Sequence, residues 1–136
     1  MSVNNYNQGL DFPFSASGDL DAVQYRFVMP ATTAGMVLRA TGASNPAPLG
    51  VLQNDPKSGD AATVRIWGVS FLDVNADTAI SYGDYLTSSS VGHGVINTNG
   101  SSVAAVALQA VASGSGVRIP VLLLPFASGN KSDNVP

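Results

Sequence analysis

Apolar side chains recur at every second position in the first patterned stretch of the chain, residues 23–29. Val23, Tyr25 and Phe27 occupy one face of this stretch, and a period of two is typical of a half-buried β-strand. Pro30 follows, and proline cannot donate to a strand ladder. The pattern therefore predicts a strand that ends at Pro30.

Three further apolar runs predict strands. Two are short, at residues 36–41 and 49–53, and the third, residues 62–74, is the longest β signal in the chain. Gly68 interrupts the middle of this third run, which predicts a β-bulge or a close approach of another backbone. Beside it lies Trp67, the single tryptophan. Two interpretations stay open for Trp67: a core residue, or an anchor in a contact between subunits.

An approximate internal repeat connects two parts of the chain. Val-Leu-Gln at 51–53 is followed, after a loop with a glycine, by Val-Arg-Ile at 64–66, and Ala-Leu-Gln at 107–109 is followed by Val-Arg-Ile at 117–119. Each copy reads as strand, glycine-containing turn and strand. Between the copies, Gly-Asp at 83–84 lies between two apolar positions and predicts a tight corner between short strands.

Two segments near the C-terminus allow more than one structure. Residues 101–112 are rich in alanine and place valines at helical spacing, so both helix and strand remain open there. Residues 117–124 are strongly apolar but contain Pro120, which predicts an edge strand or a bulge. An open apolar edge invites aggregation. We therefore expect this strand to close a small barrel or to be covered by another subunit.

The first 18 residues are polar and irregular in composition, but they carry four large apolar side chains. These are Tyr6, Leu10, Phe12 and Phe14. A disordered tail seldom contains so many such residues, so the segment is expected to lie on a surface. That surface is either the body of the same chain or a neighbouring chain.

Composition supports a β-protein and excludes several functions. Only 11% of the 136 residues are charged, all nine acidic residues are Asp, and 14 Gly and 8 Pro provide turns. The absence of cysteine excludes disulfides and thiol chemistry. A net charge of -3 with six scattered basic residues leaves no basic patch for nucleic acid. No stretch has the pattern of a signal peptide or the length of a membrane span.

Catalytic and metal motifs are weak in this sequence. Asp73, Asn75, Asp77, Ser81 and Asp84 have the spacing of a calcium loop, but the central glycine and the final glutamate of such a loop are missing. A polar loop is the simpler interpretation.

The single histidine, His93, lies between two glycines and has no cysteine or carboxylate close by in sequence. The serine-rich loops lack a nucleophile elbow, and no Walker loop is present. We expect no enzyme activity, no metal and no cofactor.

Four segments together give the chain a resemblance to a known family. They are Pro-Leu-Gly-Val-Leu-Gln at 48–53, residues 62–74 with Arg-Ile-Trp-Gly-Val at their centre, Gly-Asp at 83–84, and Val-Arg-Ile at 117–119. With this succession the chain, from about residue 19 to 126, resembles the capsid decoration or cement proteins of tailed phages, which include the lambda-like head decoration proteins. These motifs are turn and strand patterns rather than catalytic signatures.

The resemblance implies an all-β fold, namely a small β-barrel of the β-clip or β-tulip type with an irregular N-terminal arm. It favours a strand for residues 101–112. It divides the chain into the arm at 1–18, the barrel domain at 19–127 and a flexible C-terminal tail at 128–136. Proteins of this family are often homotrimers at local threefold positions of the shell.

The function implied by the resemblance is structural. The protein is expected on the outer surface of the virion capsid, after synthesis in the bacterial cytoplasm, where it stabilises the shell by bridging neighbouring subunits of the major capsid protein. Its partners would be that protein and itself, with no nucleic acid and no membrane. Capsid contact is expected from Tyr6, Leu10, Phe12 and Phe14, and the subunit interface from Trp67, Phe71, Leu122 and Leu124.

Two other classes of function remain open. A host-glycan-binding module on the virion surface or tail would use exposed aromatic side chains, for which Tyr82 and Tyr85 are the candidates. A nucleotide hydrolase on a similar fold would need clustered carboxylates and an arginine loop that binds phosphate. The four arginines, at 26, 39, 65 and 118, are dispersed along the sequence.

Overall fold

The computed structural model describes residues 8–42, 47–97 and 103–124, and every regular element in these ranges is a β-strand. The strands are β1 (Gly9–Ala16), β2 (Phe27–Pro30), β3 (Met36–Arg39), β4 (Gly50–Leu52), β5 (Ala61–Ala76), β6 (Tyr85–Ser88), β7 (Gly94–Ile96), β8 (Ala105–Ala107) and β9 (Ser115–Leu123). All of them are hydrogen-bonded into one sheet. The predicted all-β class is confirmed.

Strand β5, with 16 residues, organises the sheet. Its first half pairs with β1 and β4, and its second half pairs with β9 and β7. The partners change at Gly68, which lies opposite Gly9 of β1 and opposite Leu123 of β9. One strand therefore has two successive sets of neighbours.

The strand order closes into a ring twice, each time through β5. The first ring runs β1-β3-β2-β4-β5 and closes through the β1–β5 pairing, and the second runs β5-β7-β6-β8-β9 and closes through the β5–β9 pairing. Each ring is a small barrel, so the predicted small β-barrel is confirmed in a doubled form. The two copies of the sequence repeat are the β4–β5 and β8–β9 hairpins, one in each ring.

Strand β5 contributes side chains to both hydrophobic cores. Ala62 and Val64 belong to the first core, and Leu72, Val74 and Ala76 belong to the second. These are alternate positions, as expected for a strand with one buried face. Each large apolar side chain buried in this way contributes about 1.5–3 kcal/mol. The other members of the first core are Ala16, Leu20, Val23, Val28, Val37 and Leu52.

Part of the segment predicted to be an irregular arm is a regular strand, β1. Leu10, Phe12 and Phe14 are spaced two residues apart, which is the strand pattern that the polar composition of this segment obscured. The strand pairs with β5 from Gly9 to Ser15. The expectation of irregular backbone is therefore wrong for these residues.

The strand predicted at residues 23–29 begins only at Phe27. Tyr25 has a φ of 64°, in the left-handed region that a strand excludes. The Val23 N–H donates to Leu20 O (3.1 Å) before Tyr25, and the Arg26 N–H donates to Val23 O (3.0 Å) across it; both are turn contacts. The predicted alternation also fails, because Tyr25 is no more buried than Gln24 and because Phe27 and Val28 are both fully buried.

Within the described residues, strand β9 pairs with β5 along its whole length and with β8 at residues 121–123, while residues 115–119 pair with β5 alone. The alternative that this strand closes a barrel is confirmed, and the predicted edge is confined to the residues before Pro120. The Leu108 N–H donates to Pro120 O (3.1 Å). Because the N and O atoms of one strand residue point to the same edge, the nitrogen of Pro120 also points to this edge, next to the last β8–β9 residue pair. Only one ladder bond is lost there.

Gly68 combines the two features that its sequence context predicts, a bulge nearby and a close backbone approach. The β1–β5 register shifts between Leu10 and Asp11, as in a β-bulge. Gly68 itself has a φ of 102°, and a Cβ at this position would lie 2.6 Å from both Gln8 O and Gly9 Cα. A side chain at position 68 would therefore push β1 away from β5.

We expect Gly68→Ala to lower the free energy of unfolding by about 3 kcal/mol, because it adds both backbone strain and a backbone clash. The matched control is Gly59→Ala, since Gly59 also has a positive φ (84°) but nothing within 4 Å of an added Cβ. It should cost only about 1 kcal/mol. Urea unfolding followed by circular dichroism measures both values, and equal losses would contradict the clash.

Candidate binding surface where β1 crosses β5

Two exposed apolar side chains lie side by side where β1 crosses β5. Leu10 is directly opposite Trp67 in the β1–β5 register, and these side chains are 44% and 61% exposed. Together with Gln8, Gly9 and Gly68 they line a groove of about 350 Å³. We call these five residues the apolar patch. Exposed tryptophan beside a groove is typical of contact surfaces.

A buried ion pair fixes β1 beneath the apolar patch. Arg65 Nε donates to Asp11 Oδ1 (2.7 Å), and its Nη2 donates to Asp11 Oδ2 (3.0 Å). The same guanidinium also donates through Nη1 to Val69 O (3.0 Å). The Arg65 side chain is only 9% exposed and that of Asp11 is 32% exposed, so this two-point contact is partly shielded from solvent. It holds β1 in register next to Trp67.

The outer edge of β1 is unpaired over most of its length within the described residues. β3 pairs with β1 only at Ser15 and Ala16. The Gln53 N–H donates to Thr63 O (2.8 Å) on the β4 side of β5, so Pro13, which lies opposite Thr63, directs its backbone toward the free edge. Proline is a residue that natural proteins place on such edges.

The residues predicted for capsid contact have different environments. Tyr6 lies outside the described residues. Leu10 and Phe12 are exposed, at 44% and 45%, and are available to a partner. Phe14 is half-buried and packs against the first hydrophobic core. Phe14 therefore contacts its own barrel, as one of the two sequence interpretations allowed.

The residues predicted for a subunit interface are also divided. Trp67 is on the surface, so its interpretation as a core residue is wrong, and Leu122 is 37% exposed opposite Val69. Phe71 is half-buried and meets the ring of Tyr25 edge to face, with 6.1 Å between ring centroids. Leu124 lines a cavity of about 70 Å³. The structure thus places Trp67, which was predicted for the subunit interface, beside Leu10, which was predicted for capsid contact.

A second concave site lies farther along β5. Asp73, Asn75, His93 and Arg118 line a cleft of about 440 Å³, together with Val74, Gly116 and Val117. We call it the His93 cleft. Arg118 Nε donates to Asp73 Oδ1 (2.7 Å), and its guanidinium carbon lies 4.4 Å from the centroid of the Tyr25 ring. This cation–π contact and ion pair position Arg118 at the wall of the cleft.

Two side chains of the His93 cleft have shifted pKa values. Burial lowers the pKa of His93, and the nearby Arg26 guanidinium lowers it further. The hydrogen bond to Asp73 raises the pKa of Arg118. His93 is therefore neutral at pH 7, and Arg118 is charged.

The residues with calcium-loop spacing are separated by the fold. Asp73 and Asn75 belong to β5, where Asp73 pairs with Arg118. Asp84 accepts a hydrogen bond from the Ser81 N–H (2.7 Å) and closes the predicted Gly-Asp corner. Within the described ranges no three histidine, aspartate or glutamate residues form a group suited to a metal ion. The same ranges contain no helix with the length and apolarity needed to cross a membrane.

The fold defines this chain as an all-β protein of two fused barrels with an exposed apolar patch. No protein-family model and no curated protein matches the sequence. Among solved structures, the chain is similar to the crystal structure of the head fiber gp8.5 N base in bacteriophage phi29. The TM-score is 0.60 at 18% sequence identity, and the match covers 88% of this chain and 96% of that chain. This likeness establishes a shared fold over almost the whole chain.

Removal of the Asp11 carboxylate should destabilise the protein, because it leaves Arg65 buried without its main counter-charge. We expect Asp11→Ala to lower the free energy of unfolding by about 2 kcal/mol, less than for a fully buried pair because Asp11 is partly exposed. The control is Asp21→Ala, which breaks the exposed pair with Lys57 and should leave the unfolding midpoint unchanged. Chemical denaturation measures both variants, and a neutral Asp11→Ala would show that the ion pair does not secure β1.

Proposed function

We propose that this chain is a structural protein of a tailed-phage virion that binds the outer surface of the assembled capsid. The observation that carries the proposal is the apolar patch, an exposed contact surface where β1 crosses β5. The shared fold with the base of a phage head fiber supports a position on the phage head. The sequence resemblance to cement proteins points to the same place.

In this proposal the apolar patch is the anchor that binds the major capsid protein. Trp67 offers a large apolar area at low cost in conformational entropy, and the Arg65–Asp11 pair holds the surface in its binding geometry before contact. Leu10 and Phe12 extend the contact along β1. Tyr6 remains a predicted contact of the same surface.

Stabilisation of the capsid follows if one copy contacts neighbouring subunits. A ligand that binds only the assembled shell favours that state by mass action. Bridging also makes the contacts multivalent, because release of one subunit leaves the decoration protein held by the next. A homotrimer, with Leu122 at the subunit contact, would multiply this effect at threefold positions of the shell.

The test is binding of the purified protein to capsids that lack it, prepared from the phage that encodes this chain. The double variant Leu10→Ser and Trp67→Ser should weaken binding at least thirtyfold, as expected for loss of a central apolar anchor. Tyr82→Ser is the matched control, because Tyr82 is 74% exposed and lies on a separate turn. It should bind like the parent protein, and both proteins should unfold at the parent temperature.

Unchanged capsid binding by the double variant would contradict the assignment of the anchor.

The copy number of the protein in purified virions tests the proposed decoration role itself. A ratio close to that of the major capsid protein is expected for decoration, with reduced heat stability in particles that lack the protein. A few copies per particle would overturn the bridging role.

A second candidate function is recognition of host glycan, and it is favoured by the exposure of two tyrosines. Tyr82 is 74% exposed and Tyr85 is 59% exposed, at the turn that leads into β6. Exposed aromatic rings present apolar faces on which sugar rings can stack. Binding to host-cell glycan should then be lost in Tyr82→Ser and retained in Trp67→Ser, which is the reverse of the capsid result. If the parent protein does not bind host-cell glycan, this candidate function is excluded.

A further inference from the structure

Three of the four arginines, which are far apart in sequence, approach one another at His93. A Cβ built on Gly92 would lie 3.1 Å from Arg39 Cγ and 3.3 Å from Arg26 Cβ, so both arginine stems flank the residue before His93. Arg26 Nη1 also donates to Val91 O (3.4 Å) in the same loop. Arg118 and His93 both line the His93 cleft. The fold thus assembles a basic region that the sequence does not reveal.

The charge in this region is not balanced within the described residues. The one acidic residue that lines the His93 cleft, Asp73, is already paired with Arg118. Arg26 and Arg39 form no ion pair in the described ranges. A local excess of positive charge therefore exists on a protein whose net charge is -3. Arg26 and Arg39 are not part of the cleft lining but lie beside it, next to Gly92. Positive charge beside a concave surface raises the local concentration of anions.

Two buried polar atoms in the same region have no hydrogen-bond partner within the described part of the chain. They are Arg26 Nε and His93 Nδ1. An unsatisfied buried donor or acceptor costs stability, and such costs persist mainly at functional sites. An anion beside the imidazole would favour the charged form of His93 and would offset the repulsion between the cationic groups.

We propose that the His93 cleft binds a carboxylate group on an acidic peptide segment of a partner protein. Arg39 and Arg26 supply positive charge from beside the cleft, and His93 and Asn75, which line it, supply side-chain donors. A carboxylate fits better than a phosphate dianion, because the Asp73 carboxylate repels a second negative charge on the ligand. A peptide fits because residues 115–119 of β9 have no β8 partner in the described residues, which leaves a free edge beside the cleft.

The single histidine makes the proposal directly testable by NMR. The imidazole resonances of His93 are recorded in the full chain at low ionic strength, where charge screening is weak, during titration with an acetylated tetra-aspartate peptide. We expect a saturable shift and a higher His93 pKa in the bound state, since a nearby carboxylate favours imidazolium. Arg26, Arg39, Asp73 and Arg118 are the charged groups around His93.

Comparison ligands and variants decide the assignment. Arg39→Gln should weaken peptide binding about tenfold, because it removes one of the two positive charges beside the cleft that have no ion-pair partner in the described ranges. Lys57→Gln removes the same charge from the exposed pair with Asp21 and should bind like the parent. Equal effects of the two variants, or a peptide response no larger than that of tetra-serine, would falsify the site. Tighter binding of inorganic phosphate or glucuronate than of the peptide would overturn the ligand assignment, and none of these outcomes depends on capsid binding.

Discussion

Both barrels of this protein depend on the path of a single backbone, that of β5. The strand can serve two rings only because its neighbours change at Gly68, where β1 and β9 lie on opposite edges of the same residue. A glycine is required at this point, since the backbone conformation and the contact with Gln8 both exclude a side chain. The two cores cannot separate while β5 stays intact. We therefore expect the barrels to unfold together rather than one at a time.

The sequence predicted what is local and missed what depends on pairing. The period of two at residues 62–74, the glycine in its centre and the two copies of the hairpin repeat were sufficient to predict the all-β class and the longest strand. The second ring, the exposure of Trp67 and the left-handed Tyr25 were not predictable, because each depends on contacts with distant strands. Phe14 shows the limit clearly, since an apolar residue in a polar segment can face either its own core or a partner.

The candidate sites show the same division. The large apolar residues near the N-terminus could be recognised in the sequence, but only the β1–β5 register places Leu10 beside Trp67. The basic region around His93 gave no sequence signal, since its arginines precede β2, end β3 and lie within β9. Asp73 is six residues from Trp67 along β5, roughly 20 Å in an extended strand. The apolar patch and the His93 cleft are thus separate surfaces along one strand.

The proline on the free edge of β1 has a consequence for the protein before it meets any partner. At high concentration, an open strand edge is a template for polymerisation with other copies of the chain. Pro13 interrupts the row of donors along that edge, and Asp11 adds a polar side chain to the same strand. A second chain cannot then extend the sheet in continuous register. Contact through side chains, rather than through backbone, is the mode of assembly that this edge leaves available.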